Sequence, residues 1–126
     1  RMLIWTPERN WDRIGASHPD HLAAGEIAMQ AVYPDARNEF AFPELLAEGL
    51  EPWAVSEVWV MGNSRRTHYV DTTDFFELKL EALRAHRSQT SHMENLEGFI
   101  RGWGEDVAKE AGWPGRLAEG FLRVTT

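Results

Sequence analysis

Apolar residues along this chain gather in short clusters whose spacing changes from one to the next. Met2-Leu3-Ile4-Trp5 is a continuous apolar run, the pattern of a strand buried on both faces in a parallel sheet. It ends at Thr6-Pro7, and residues 6–17, with Asn10, Asp12, Gly15 and Ser17, read as a polar loop. Loops of this length in a compact domain often carry function. Pro19 suits the first position of a helix, where its missing N–H would be unpaired anyway. Beyond it Ala24, Ile27, Ala28, Ala31 and Val32 recur at helical steps and predict one apolar face, which Pro34 terminates.

Residues 38–52 predict a short helix between proline-marked turns. Val55 to Met61 reads as a strand closed by Gly62-Asn63, and His68 to Asp71 as a second, shorter one. Asp74 and Glu77 form a capping-box pattern. The helix it opens places Phe76, Leu80 and Leu83 on one face and ends near Arg84, His86 and Arg87, where cations suit the helix dipole. Ser91 and Glu94 form another such box ahead of Met93, Leu96, Ile100, Trp103 and Val107, and Gly112-Trp113-Pro114 ends that helix. Phe121 to Val124 predicts a last strand. The order is that of an α/β protein. It shows no internal repeat, low-complexity segment or domain boundary.

With 126 residues, 43% of them hydrophobic, the chain is long enough for one core or for a large piece of a bigger domain. Thirteen Lys and Arg against 20 Asp and Glu give a net charge of −7, which argues against nucleic-acid and anionic-membrane partners, since both need a basic face. The absence of cysteine excludes disulfides, thiolate nucleophiles and Cys-ligated zinc. No apolar stretch approaches the ~18 residues of a membrane span, and no signal peptide is visible. A reducing cytoplasm is the default expectation. Because Arg1 leads straight into an apolar run, a processed product or a partial chain is expected.

Chemistry concentrates in Ser17-His18-Pro19-Asp20-His21, after a strand and a loop and at the first turn of a helix. Ligands of open α/β sheets bind outside the carboxyl ends of the strands. His18 and His21, three residues apart, project in neighbouring directions there. Neutral imidazole is the commonest metal ligand, and free N–H groups at a helix start suit a developing negative charge. A plain solvated helix cap accounts for the same pair. His-x-x-His is less specific than His-Glu-x-x-His, and a catalytic zinc takes three protein ligands. His68, His86 and His92 are scattered and read as surface residues.

His18-Pro19-Asp20-His21 followed by Ala23-Ala24-Gly25 resembles the second signature of the LmbE/PIG-L family of zinc-dependent N-acetylglucosaminyl deacetylases. The segments Trp5 to Arg9, Ala31 to Arg37, Phe42 to Leu46, Val70 to Asp74, Lys79 to Leu83 and His86 to Gln89 resemble it too, in the right order. The resemblance implies an α/β fold, the C-terminal part of a Rossmann-like three-layer sandwich with a mostly parallel sheet. It further implies that residues 1–126 are the C-terminal portion of a single domain whose N-terminal half lies outside the chain. In the family one zinc is held by a His and an Asp of an N-terminal His-Pro-Asp-Asp motif and by the last His of the second motif, here His21. His18 would stabilise the oxyanion and help protonate the leaving amine, and Asp20 would orient a histidine.

The only His-Pro-Asp in the sequence is at 18–20, so by the resemblance two zinc ligands and the general base belong to an upstream half or to a partner chain. Leu22 stands where the family often has a basic residue, and Ala16 where some members carry tyrosine. The implied substrate is a small N-acyl compound of the amino-sugar kind. A non-catalytic binding or assembly module is the alternative, as is a different zinc-dependent reaction such as hydration. Among six tryptophans, Trp59 and Trp103 fit core positions, whereas Trp11 lies in the loop before the motif beside Arg9 and Arg13. These three are the expected substrate contacts. Gly62 to Arg66 reads as a solvated turn, and Glu77, Lys79 and Glu81 as a wet helix face. An exposed sheet edge makes a homo-oligomer an expectation as well.

Overall fold

Strand β1 (Met2–Trp5) buries Ile4 but leaves Leu3 exposed, so it is not covered on both faces as its apolar run predicts. The computed structural model describes residues 1–11 and 13–126; Asp12, placed in the loop by sequence, lies outside the described residues. Two compact units emerge, Arg1–Thr67 with Phe121–Thr126 and His68–Gly120.

The first unit holds β1, helix α1 (Pro19–Val32), the short helix α2 (Pro43–Ala47) and strand β2 (Glu57–Met61). β1 and β2 run parallel in a register from Met2↔Val58 to Trp5↔Met61, and the Thr6 N–H extends it to the Met61 carbonyl at 2.9 Å. Both strands therefore finish at the same edge. The core beneath is Ile4, Val32, Val58 and Val60, flanked by Met2, Ala28, Val55 and Leu122. The apolar stripe predicted for α1 is only partly used. Val32 and Gly25 are buried and Ala28 packs on the core, while Ala24 and Ala31 are exposed and Ile27 is 66% exposed. Gly25 explains the shift. It turns the face without a side chain inward and lets the helix backbone lie directly on the end of β1.

The second unit holds strand β3 (His68–Asp71), helices α3 (Phe76–Ala85), α4 (Arg87–Thr90) and α5 (Leu96–Glu110), and the start of strand β4 (Ala118–Thr125). Phe76, Leu80, Leu96, Ile100 and Leu117 form its core, and Val107, Ala108 and Ala118 a satellite beside Tyr69. Neither capping box forms. Ahead of α3 the turn is held by Asp71, whose Oδ1 accepts from the Thr73 hydroxyl at 2.6 Å and the Thr73 N–H at 3.0 Å. The cap of α5 is Asn95, whose Oδ1 accepts from the Gly98 N–H at 3.0 Å. Trp103 is 45% exposed instead of packed in the core, with the Lys79 ammonium 5.9 Å from its ring centroid, and Trp59 is half-buried against Phe121.

The strand order is β1-β2-β4-β3. β4 is antiparallel to β2, from Glu57↔Thr125 to Val60↔Leu122. Bonds from Thr67 N–H to the Phe121 carbonyl and from Thr72 N–H to the Leu117 carbonyl run in the antiparallel sense as well. The sheet is thus mixed and mostly antiparallel, which overturns the mostly parallel sheet of the Rossmann-like expectation. The burial pattern of β2 alternates, the mark of a strand packed on one face. β4 enters directly from α5 through Gly112 and Gly115, at φ +79 and +82, and this tight return sets its direction. Among the described residues no helix is long and apolar enough to cross a membrane.

Candidate functional site

Three segments meet at the carboxyl edge shared by β1 and β2: the loop after β1, the turn after β2 and the first turn of α1. This is where a parallel strand pair offers backbone ends and loops to a ligand. The loop is pinned from within. Ser17 is buried, and its Oγ accepts from the Asn10 N–H at 2.7 Å, while Asn10 Oδ1 accepts from the Arg13 N–H at 2.8 Å. These bonds hand the chain to His18 in an extended conformation, φ −58 and ψ 136, from which the helix starts.

His18 is the helix N-cap. Its Nδ1 accepts from the Asp20 N–H at 3.3 Å and lies 3.7 Å from the Asp20 carboxylate. The consequence is chemical. An imidazole that accepts at Nδ1 carries its proton on Nε2, and a doubly protonated ring beside the Asp20 carboxylate carries one there too. In either state Nε2 of His18 is a hydrogen-bond donor. The His21 ring stands 5.7 Å from it, centroid to centroid, and 5.0 Å from the indole of Trp5. Both histidines are solvent-exposed. Among the described residues no side chain hydrogen-bonds to the His21 imidazole, so its nitrogen lone pair is available to a metal.

The loop after β1 and the turn after β2 enclose a cleft of about 290 Å³ lined mainly by Thr6, Glu8, Arg9, Asn10, Trp11 and Asn63. Asn63 is buried and donates to Thr6 Oγ1 at 3.3 Å and to Glu8 Oε2 at 3.2 Å, and its own Oδ1 accepts from the Arg65 N–H at 2.8 Å. Glu8 also pairs with the Arg65 guanidinium. Of the three expected substrate contacts, Arg9 and Trp11 share this cleft, the Arg9 guanidinium 5.8 Å from the Trp11 ring. Arg13 does not line it; its backbone is tied to Asn10 and its side chain is exposed. The turn at Gly62 to Arg66, read from sequence as merely solvated, thus supplies the buried Asn63. Sequence pattern also gave no role to Glu8 and did not foresee that Ser17, though part of the motif, is buried. Buried polar residues in loops leave no periodic signal, and only the Thr6-Pro7 break and the Gly62-Asn63 turn mark the place.

Among the described residues no three His, Asp or Glu side chains gather to hold a metal. The donor set fits a metal site in part: one free imidazole at His21, with a hydrogen-bond donor beside it at His18, against the three protein ligands that a catalytic zinc takes.

Over 109 residues, 85% of its length, the sequence is 36% identical to diacetylchitobiose deacetylase of Thermococcus kodakarensis, of which it spans 40%. The fold superposes on N,N'-diacetylchitobiose deacetylase from Pyrococcus horikoshii, solved with its inhibitor MPG, with a TM-score of 0.80 and 29% identity. The chain is a homologue of LmbE/PIG-L deacetylases. A second curated relative, 1D-myo-inositol 2-acetamido-2-deoxy-alpha-D-glucopyranoside deacetylase 1 of Frankia alni, is 26% identical over an alignment of 128 positions covering 71% of the chain and 41% of that protein. The superposition with the Pyrococcus protein covers 98% of this chain and 45% of that one. The deacetylase homologue therefore spans less than half the length of the relatives it matches. No protein-family model matches the sequence.

Proposed function

We propose that this chain carries the downstream part of the active site of a zinc-dependent N-deacetylase, one that removes the acetyl group from the amide nitrogen of an acetamido sugar. The observation that carries this reading is the pairing of the two imidazoles, one with its lone pair unengaged and the other held as an Nε2 donor, in a homologue of deacetylases. His21 is the metal ligand contributed by this chain. The other ligands and the general base come from sequence upstream of these residues or from a partner chain. When bound, zinc supplies Lewis acidity to the amide carbonyl and a water acidified to a pKa of about 7.

The chain's own residues do the rest. His18 directs Nε2–H at the carbonyl oxygen as negative charge builds on it, and a donor of this kind is worth ~10²–10³ in rate. In its doubly protonated form His18 passes the Nε2 proton to the amine as the C–N bond breaks and is left as a neutral imidazole, since an amide nitrogen leaves only once protonated. Asp20 holds His18 in that orientation, through its N–H when the ring is neutral and through its carboxylate when the ring is doubly protonated. Trp11 and Arg9 receive the sugar, the indole against an apolar ring face and the guanidinium at hydroxyls, with Glu8 and Asn63 behind them.

The test is hydrolysis of an N-acetylated chitooligosaccharide by the protein that carries this chain, before and after chelation of metal. We expect activity that chelation removes and zinc restores, and a ~10²–10³-fold lower rate for His18→Ala with metal retained. Full hydrolysis by His18→Ala would remove its catalytic role. A wild-type protein that binds zinc and sugar without cleaving the amide would be a binding module.

A further inference from the structure

We infer that Trp5 is a positioning residue: its indole fixes the plane of the His21 imidazole for metal binding, in place of the usual hydrogen-bonded partner. The inference rests on the reading of His21 as a ligand. A metal-bound imidazole is normally oriented by its second nitrogen, which donates to a carboxylate or carbonyl. His21 has no such partner among the described residues; the adjacent carboxylate, Asp20, lies by His18 instead. What His21 has is a ring. The Trp5 indole sits 5.0 Å away at an interplanar angle of 57°, within the range at which aromatic pairs attract through edge and face. Packing of this sort holds a plane while leaving both nitrogens free.

A ring can position another only if it is itself fixed, and Trp5 is. Its backbone is locked in register with Met61. A Cβ at Gly25 would stand 2.5 Å from the Trp5 carbonyl oxygen, so the helix that carries His21 rests on this residue's main chain. On the other side a Cβ at Gly62 would meet the indole Cζ2 at 2.9 Å, with Cε2 and Cη2 at 3.1 Å. Glycine there, at φ +73, serves both the turn and the close approach of the ring.

Stability alone does not account for an indole here. Trp5 Nε1 is buried and has no acceptor among the described residues, and an unpaired buried donor carries a desolvation cost that a phenyl ring would not. The large ring is there for the face it presents.

The experiment compares wild type, Trp5→Leu, Trp5→Phe and His21→Ala in the protein that carries this chain. Zinc affinity is measured by competition with a chromophoric chelator, the Co(II)-substituted absorption spectrum is recorded, and folding is followed by circular dichroism. We expect Trp5→Leu to fold, to bind zinc about 10–100-fold more weakly and to change the cobalt spectrum, with Trp5→Phe restoring most of both. Wild-type affinity and spectrum in Trp5→Leu, alongside loss of metal in His21→Ala, would overturn the role of Trp5 and leave the ligand standing. Unchanged metal binding in His21→Ala would overturn both. Should Trp5→Leu not fold, nuclear Overhauser contacts between the indole and the His21 ring in the zinc-loaded wild type decide: present, they support the inference; absent, they overturn it.

Discussion

A Cβ placed on Gly25 would stand 2.5 Å from the carbonyl oxygen of Trp5 and 2.9 Å from the nitrogen of Pro7. Helix α1 is thereby seated on the end of β1, and the seat puts His18 and His21 at the carboxyl edge of the strand pair. Gly25→Ala gains about 1 kcal/mol in helix propensity but forces a methyl group against backbone, where overpacking costs about 1–3 kcal/mol and occasionally more. Because backbone yields less than side chains, the clash wins. The variant should unfold at lower urea than wild type. A midpoint equal to or above wild type would show that helix and strand are not in contact.

Asn63 ties the loop after β1 to the turn after β2 through Thr6, Glu8 and the Arg65 N–H. Asn63→Ala leaves the buried Thr6 hydroxyl and the part-buried Arg65 N–H short of a partner and should cost about 1–3 kcal/mol. Denaturant unfolding measures the loss.

The caps separate what the sequence suggests from what the fold uses. Asn95→Ala removes the bond to the Gly98 N–H and should cost about 0.5–2 kcal/mol. Asp74→Ala and Ser91→Ala remove side chains that N-cap no helix in the structure and should stay within about 0.5 kcal/mol. The three midpoints together check the assignment.

Acid should weaken the fold at two carboxylates. Asp71, stabilised as the anion first by the Thr73 hydroxyl, then by the Thr73 N–H and Arg116, is lowered from 3.8 to about 2. Glu57 is lowered from 4.5 to about 2, by Arg1 first and then Arg123. Both folded values lie below the unfolded ones. Their contribution is therefore complete above about pH 4.5 and is lost as pH falls toward about 2. Asp71→Asn should be less stable than wild type near neutral pH, with the gap closing over that window. Urea midpoints across the range test it, and a constant gap would contradict it.

Where the chemistry is local, the sequence was readable. Pro19 announced the start of α1, His68 to Asp71 gave β3, and the motif at 17–21 pointed to the edge where the two imidazoles stand. Strand direction was not readable, because a short segment such as Phe121 to Val124, apolar but for Arg123, looks the same in either sense. The outcome depended on how β4 returns from α5. The capping boxes at Asp74 and Ser91 failed for a related reason: Asp71 and Asn95 offered side-chain oxygens in the geometry the chain adopts. At the site, Gly25, Gly62 and Asn63 act through close approach or burial, properties that no spacing records.

Zinc bound per molecule of protein, measured after dialysis on wild type, His18→Ala and His21→Ala, decides whether His21 is a metal ligand. His21→Ala should lose the metal while His18→Ala keeps it. Zinc retained in His21→Ala at the wild-type level would contradict that assignment.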